Sequence, residues 1–127
     1  MECMIVGDSI AVGISNFRQE CHVNAAIGRR ASQQGSVGYA GRALIISVGS
    51  NDGSSLSERE LRRIRESARA SYVFWVLPNR PEHARQLVMQ VARSYGDQTV
   101  DMRAHASQDG IHPTWLGYQA LAHATRR

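Results

Sequence analysis

The sequence contains no lysine, only two cysteines and three prolines, and no apolar run near the roughly 20 residues that cross a bilayer. All 15 basic residues are therefore arginines, and they leave a formal net charge of +4. The arginines are scattered and are not interleaved with aromatic side chains, so we expect no nucleic-acid partner. A basic surface of this kind would still favour anionic polymers such as acidic polysaccharide.

The length of 127 residues suits one domain with its own core, and we expect a single domain over residues 1–127. The first residues run directly into an apolar segment, without the basic and apolar regions of a secretory signal. We therefore expect a cytoplasmic protein, or one that is released or virion-associated by a non-Sec route; a trimmed leader would also fit. The oligomeric state is left open.

The two cysteines, Cys3 and Cys21, have neither a metal-ligand spacing nor a C-x-x-C pattern. They lie near the starts of two segments that we predict to be neighbouring strands, so a disulfide is geometrically conceivable. We nevertheless expect reduced, partly buried thiols.

Short apolar segments alternate with amphipathic ones along the chain. This alternation, with short connections, predicts a flavodoxin-like three-layer α/β/α fold with a five-stranded parallel sheet in the order 2-1-3-4-5. The glycine-rich stretch 29–42 is expected to be loop or a very short helix. We predict strands at residues 3–6, 23–27, 43–48, 72–77 and 99–102, and helices at 10–19, 57–70, 81–95 and 114–125.

No cofactor or metal site is predicted. Gly35, Gly38 and Gly41 have a spacing that differs from the dinucleotide-binding fingerprint and follow no clear strand-to-helix turn. The histidines other than His112 have no ligand-like spacing, and we expect them to be surface or structural residues. Among them, His105 lies just before the segment 109–113 in the sequence.

Four short polar motifs each follow a predicted strand. Ligands of open parallel sheets bind outside the carboxyl ends of the strands, so all four motifs are expected at one edge. The motifs are Gly7-Asp8-Ser9, Gly28, Gly49-Ser50-Asn51-Asp52 and Asp109-Gly110-Ile111-His112-Pro113.

These motifs contain the groups needed for acyl transfer. Ser9 would be the nucleophile and His112 its general base, with Asp109 orienting the imidazole ring. Alternatively, Asp109 caps the turn before the last helix while His112 works with a backbone carbonyl alone. The amides of Ser9 and Gly28 and the side chain of Asn51 would donate hydrogen bonds to an oxyanion.

On these motifs the chain resembles the SGNH (GDSL-type) hydrolases, including the SGNH domains of polysaccharide and peptidoglycan O-acetyl esterases and transferases. The resemblance implies the doubly wound fold, a Ser9 nucleophile, a His112 base and the three oxyanion donors. The matches are Val6-Gly7-Asp8-Ser9 to block I, Gly28 to block II, Gly49-x-Asn51-Asp52 to block III and Asp109-x-x-His112-Pro113 to block V.

Four further residues are candidates for substrate binding. Arg29 follows the oxyanion glycine, and it would contact an anionic or polyol group unless it is a solvated loop residue. Asn79 and Arg80 follow the fourth predicted strand and would edge the cleft. Trp115 would be a sugar-stacking platform or, as we favour, an anchor for the last helix.

We therefore predict a serine esterase that hydrolyses short-chain esters, acetyl above all, on a small molecule or polysaccharide. Short loops predict a shallow cleft, which suits an acetyl group better than a long acyl chain. The alternatives are a thioesterase or lysophospholipase-like relative, an acetyltransferase, and a non-catalytic carbohydrate-binding or structural module that keeps the fold.

Overall fold

The computed structural model describes residues 2–105, 107 and 109–126. Strands and helices alternate along this part of the chain, with short 3-10 turns in three of the connections. The strands are β1 (Cys3–Gly7), β2 (His22–Ala25), β3 (Ala40–Ser47), β4 (Arg69–Leu77) and β5 (Gln98–Asp101), and the helices are α1 (Ser9–Ser15), α2 (Glu58–Glu66), α3 (Glu82–Tyr95) and α4 (Trp115–Ala124).

The five strands form one parallel sheet in the order β2-β1-β3-β4-β5, which confirms the predicted fold class and strand order. Residues 29–42 contain only the 3-10 turn Ala31–Gln33 before β3 begins, as their glycine content predicts.

Buried side chains on both faces of the sheet explain why its central strands are almost continuously apolar. Because successive side chains of a strand point to opposite faces, Leu44 and Ile46 of β3 pack in the core that includes α2 and α3. Ile45, between them, packs in the second core with residues of α1 and α4. Helices therefore cover both faces of the sheet.

The predicted helix 57–70 is too long. The hydroxyl of Ser67 donates a hydrogen bond to the carbonyl of Ile64 at 2.7 Å and closes the last turn of α2. The amide of Arg69 then donates to the carbonyl of Tyr39 at 2.8 Å, which starts the pairing of β4 with β3. Pairing with a neighbouring strand thus overrides the helical pattern that the sequence continues to Ala70.

The expectation of reduced thiols is wrong, because Cys3 and Cys21 form a disulfide. The chain leaves α1 at Ser15, four residues earlier than predicted, and turns back towards the start of β1. Parallel pairing of Met4 with His22 then brings the preceding residue of each strand to a Cα–Cα distance of 4.6 Å.

Among the described residues, the helices are too short or too polar to cross a membrane.

Candidate active site

Ser9 is the first residue of α1 and directly follows β1 and Asp8, so it lies at the carboxyl edge of the sheet. Gly7 makes this turn possible: its φ is +134°, and a methyl group on its Cα would lie 1.8 Å from the carbonyl oxygen of Ser47. Asp8 caps the helix by accepting a hydrogen bond from the amide of Ile10 at 3.0 Å. The turn presents a half-buried Ser9 side chain at the helix start.

The Ser9 side chain is hydrogen-bonded to His112, with 2.8 Å between Oγ and Nε2. The other ring nitrogen, Nδ1, lies 2.7 Å from Oδ2 of Asp109. The side chains of His112 and Asp109 are 41% and 50% exposed, so this end of the site is open to solvent. The fold therefore joins three side chains from the two ends of the sequence into one hydrogen-bonded series.

Asp109 also organises its own turn. Its Oδ1 accepts hydrogen bonds from the amides of Ile111 and His112, both at 2.8 Å, and from the Ser107 hydroxyl at 3.1 Å. The hydrogen bond from the His112 ring, followed by those from the two amides, holds the pKa of Asp109 well below its ordinary value. One carboxylate oxygen thus braces the turn while the other contacts the imidazole ring.

Three potential oxyanion donors, Ser9, Gly28 and Asn51, follow β1, β2 and β3 at the same edge of the sheet. Within the described residues, the amides of Ser9 and Gly28 donate to no protein acceptor. The Asn51 side chain donates one amide hydrogen to the carbonyl of Arg29 at 3.1 Å. An amide nitrogen carries two hydrogens, so this bond orients Asn51 and leaves the second one for a ligand.

The loop that follows Gly28 is braced by polar side chains. Arg29 donates to the backbone and side-chain oxygens of Asn24, both at 3.0 Å, and to Oε1 of Gln34 at 2.8 Å. Asp52 accepts from the amide of Ala31 with both oxygens, and burial raises the pKa of this carboxyl. The Arg29 guanidinium is therefore engaged within the loop.

Asp8 is fully buried below Ser9, and burial raises its pKa to about 6. Its Oδ1 accepts hydrogen bonds from the Ile10 amide and, at 3.2 Å, from the Ser47 hydroxyl. No partner of Oδ2 is found in the described part of the chain. Through these contacts Asp8 holds the turn between β1 and α1.

The other three candidates for substrate binding lie in different surroundings. Asn79 is half-buried after β4. Arg80 is exposed, and its guanidinium packs against Gly110 in the turn that carries Asp109. Trp115 is 67% exposed and makes an edge-to-face contact with Phe17 at a centroid distance of 5.2 Å, so one part of the ring packs and the rest faces solvent.

Two polar residues with structural contacts, Ser107 beside Asp109 and the buried Arg18, are not predicted from the sequence. Ser107 carries no recognisable motif, because its contact with Asp109 depends on the folded turn. Arg18 is only 2% exposed and donates to Thr125 Oγ1 at 2.9 Å and to the carbonyl of Ala122 at 3.2 Å. It thereby ties the α1–β2 connection to the end of α4, the helix that follows His112.

His105 is held in the connection between β5 and α4 by backbone hydrogen bonds. Its amide donates to the carbonyl of Met102 at 2.9 Å, and its carbonyl accepts from Thr114 at 2.8 Å. Within the described ranges, one group of potential metal ligands converges: Cys3, Cys21 and Glu20. The two sulfur atoms are bonded to each other, so they are not thiolate ligands.

Comparison with solved structures identifies the fold as that of the GDSL/SGNH proteins. A GDSL-like lipase from Bacteroides thetaiotaomicron superposes with a TM-score of 0.67 at 13% identity, over 96% of this chain and 84% of that one. A carbohydrate acetylesterase from Sinorhizobium meliloti superposes with a TM-score of 0.65 at 14% identity, over 97% of this chain and 95% of that one. The catalytic domain of a Streptococcus pneumoniae peptidoglycan O-acetyltransferase superposes with a TM-score of 0.61 at 13% identity, over 96% of this chain and 88% of that domain.

No family sequence profile and no curated protein sequence matches the chain. The similarity to these solved structures is therefore one of fold, and the fold is the one that the four short motifs imply.

Proposed function

We propose that this chain is a single-domain serine esterase that uses a Ser9–His112–Asp109 triad and prefers short acyl groups. The observation that carries the proposal is the continuous hydrogen bonding from Ser9 Oγ through the His112 ring to Asp109, at 2.8 and 2.7 Å. A serine hydroxyl becomes an effective nucleophile only beside such a base. The SGNH-like fold supports the same chemistry.

In the proposed reaction, Ser9 Oγ attacks the ester carbonyl carbon while His112 Nε2 takes the hydroxyl proton. The tetrahedral intermediate collapses as His112 returns that proton to the departing alcohol, which leaves an acyl group on Ser9. A water molecule, deprotonated by His112, then attacks the acyl-enzyme. The carboxylic acid departs, and the proton on His112 restores the Ser9 hydroxyl.

The negative charge of each tetrahedral intermediate would be stabilised by the amides of Ser9 and Gly28 and the side chain of Asn51. Both amides are free of protein acceptors in the described part of the chain, and Asn51 is already oriented by its bond to Arg29. Donors fixed before the reaction need no reorganisation when charge develops. The loss of one such donor typically lowers turnover about a hundredfold to a thousandfold.

A short acyl group on a carbohydrate is the proposed substrate. Support comes from the open site, where His112 and Asp109 face solvent, and from a shallow depression of about 310 Å³ beside Gly28. Long acyl chains need a deep apolar pocket, which this depression does not offer. The acetylesterase and O-acetyltransferase of similar fold act on carbohydrate or peptidoglycan, in keeping with this choice.

The test is hydrolysis of p-nitrophenyl acetate, butyrate and octanoate by the parent and by Ser9→Ala, with a serine-reactive phosphonate followed by intact mass. We expect turnover to fall with acyl length, one adduct at Ser9, and loss of both in the variant. Turnover that rises with acyl length would contradict the acetyl preference. An absence of turnover and adduct would overturn the esterase proposal and favour a binding module.

A transferase is the second candidate, because one similar fold belongs to a peptidoglycan O-acetyltransferase. The exposed His112 and Asp109 would leave room for a sugar hydroxyl in place of water. Adding a chito-oligosaccharide to the acetate assay separates the two activities. Acetylated sugar formed faster than free acetate would identify a transferase.

A further inference from the structure

Arg80 lies against the turn that carries Asp109 and His112. A methyl group on the Cα of Gly110 would lie 2.7 Å from Nη2 and 2.9 Å from Cζ of Arg80, so the guanidinium rests directly on the glycine. Gly110 has a φ of +70°, a backbone conformation that residues other than glycine rarely adopt. The glycine therefore leaves space for the Arg80 guanidinium two residues from the His112 base.

The described residues offer no partner for the positive charge of Arg80. Within residues 2–105, 107 and 109–126, its guanidinium has no hydrogen-bond or ion-pair partner. The nearby acid Glu82 bonds instead to Arg103 at 3.0 Å and to Gln86 at 2.6 Å. Both Asp109 oxygens are occupied by its own turn and by His112. The exposed cation is thus free to bind a ligand.

The position of Arg80 relates it to one half of an ester. His112 Nε2 must return a proton to the departing alcohol, so the alcohol portion lies beside the imidazole. Gly110, under the Arg80 guanidinium, belongs to the same turn as His112. In the proposed reaction Gly28 and Asn51 bind the acyl oxygen, so they contact the other half of the ester. Arg80 is therefore near the alcohol portion.

We propose that Arg80 binds an anionic group, a carboxylate or a phosphate, on the alcohol portion of the ester substrate. This inference rests on the proposed esterase function and narrows its substrate to acidic molecules, such as an acidic sugar. A guanidinium offers paired donors that match two oxygens of either anion. Arg80 is then a specificity residue, with no part in proton transfer.

The experiment compares three acetyl esters of similar shape: para-acetoxybenzamide, which is neutral, para-acetoxybenzoate and para-acetoxyphenyl phosphate. Parent, Arg80→Ala, Arg80→Lys and Arg93→Ala proteins are assayed with each. Arg93 is matched in charge and lies near the far end of α3, beside Gly96. Circular dichroism and thermal unfolding check that every variant is folded.

We expect Arg80→Ala to lower kcat/KM about tenfold for at least one anionic ester, mainly through KM. The kcat/KM for the neutral ester should change less than about twofold, since this ester offers no charged partner to the guanidinium. The kcat/KM of Arg80→Lys for that ester should lie between those of the parent and Arg80→Ala, because lysine keeps the charge without the paired donors. The anion that suffers the larger loss identifies the preferred group, and added salt should reduce its advantage.

Equal losses for all three esters would overturn the proposal, because they would show that Arg80 only supports the Asp109 turn. Unchanged kinetics in Arg80→Ala, or the same loss in Arg93→Ala, would also overturn it. Hydrolysis of the neutral ester by the parent keeps the esterase function separate from this result. If the parent hydrolyses none of the three esters, both proposals fail together.

Discussion

The two edges of the sheet are built alike but held by different chemistry. Each edge strand, β2 and β5, has four residues, pairs with one neighbour and contains no fully buried residue. The residue directly before β2 is Cys21, bonded to Cys3 of β1. The residue directly before β5 is Asp97, whose carboxylate bonds to Arg65 at 2.6 and 3.0 Å and to the Trp75 indole at 2.9 Å.

Each edge strand leads to a different part of the proposed site. β2 continues to Gly28, an oxyanion donor, whereas β5 continues to the turn with Asp109 and His112. Short exposed strands bury little apolar surface, so a strong anchor at their start substitutes for packing. The β2 anchor depends on the redox state, whereas the β5 anchor depends on charge. Changes at one edge should therefore leave the other largely intact.

The largest effect is expected from Asp109→Asn, which changes the chemistry carried by the β5 edge. The amide can still brace its turn through an oxygen, but it cannot both do so and accept from His112 Nδ1. The imidazole then loses the hydrogen bond that fixes its tautomer, and kcat should fall about a thousandfold or more. Steady-state kinetics with p-nitrophenyl acetate measures this, and Asp97→Asn at the same edge is the control. A loss below about tenfold would show that Asp109 only shapes the turn.

Breaking the Cys3–Cys21 disulfide should weaken the β2 edge alone. The bond closes a loop with a sequence separation of 18, so its reduction should lower the free energy of unfolding by about 3 kcal/mol. Urea unfolding with and without reductant measures the change, and the double variant Cys3→Ala/Cys21→Ala should be insensitive to reductant. Hydrogen exchange should quicken at Val23 before Val100. Equal quickening at both amides would contradict separate edges.

Removing the charge of Asp97 should weaken the β5 edge by a smaller amount. Asp97→Asn leaves Arg65, whose side chain is 18% exposed, without its carboxylate and should cost about 2 kcal/mol. Glu82→Gln is the matched control, because that residue is 63% exposed in its ion pair and its loss should change the free energy of unfolding much less. Equal costs for the two variants would mean that burial adds nothing to the Asp97 anchor.

The smallest effect concerns pH and the far end of β5. A hydrogen bond from Arg85 holds the pKa of Asp101 below its ordinary value of 3.8. The stability from this pair is therefore present above pH 3.8 and is lost as the pH falls through the lowered pKa. Since Asp101 is about half exposed, the effect should stay below about 1 kcal/mol. The difference in unfolding free energy between the parent and Asp101→Asn should shrink on acidification; a constant difference would refute it.

Local pattern was sufficient for much of this molecule. The apolar segments identify the strands, and their alternation with amphipathic segments gives the parallel sheet and its order. Ser9, Gly28, Asn51 and His112 were singled out because each follows a strand, and parallel strands end at one edge. A position relative to strand ends is a local property, so the sequence by itself predicts that these residues lie at that edge.

Other features depend on which distant groups become neighbours, and only the tertiary structure decided them. The disulfide follows from the β1–β2 register, and the end of α2 follows from β4 pairing with β3. Arg29 and Arg80 are equivalent as sequence, yet Arg29 is bound within its loop, whereas Arg80 lies against Gly110 and has no hydrogen-bond or ion-pair partner among the described residues. A side chain's partners are set by packing across the sheet, because hydrogen bonds and ion pairs act over a few ångströms in space, whatever the separation in sequence.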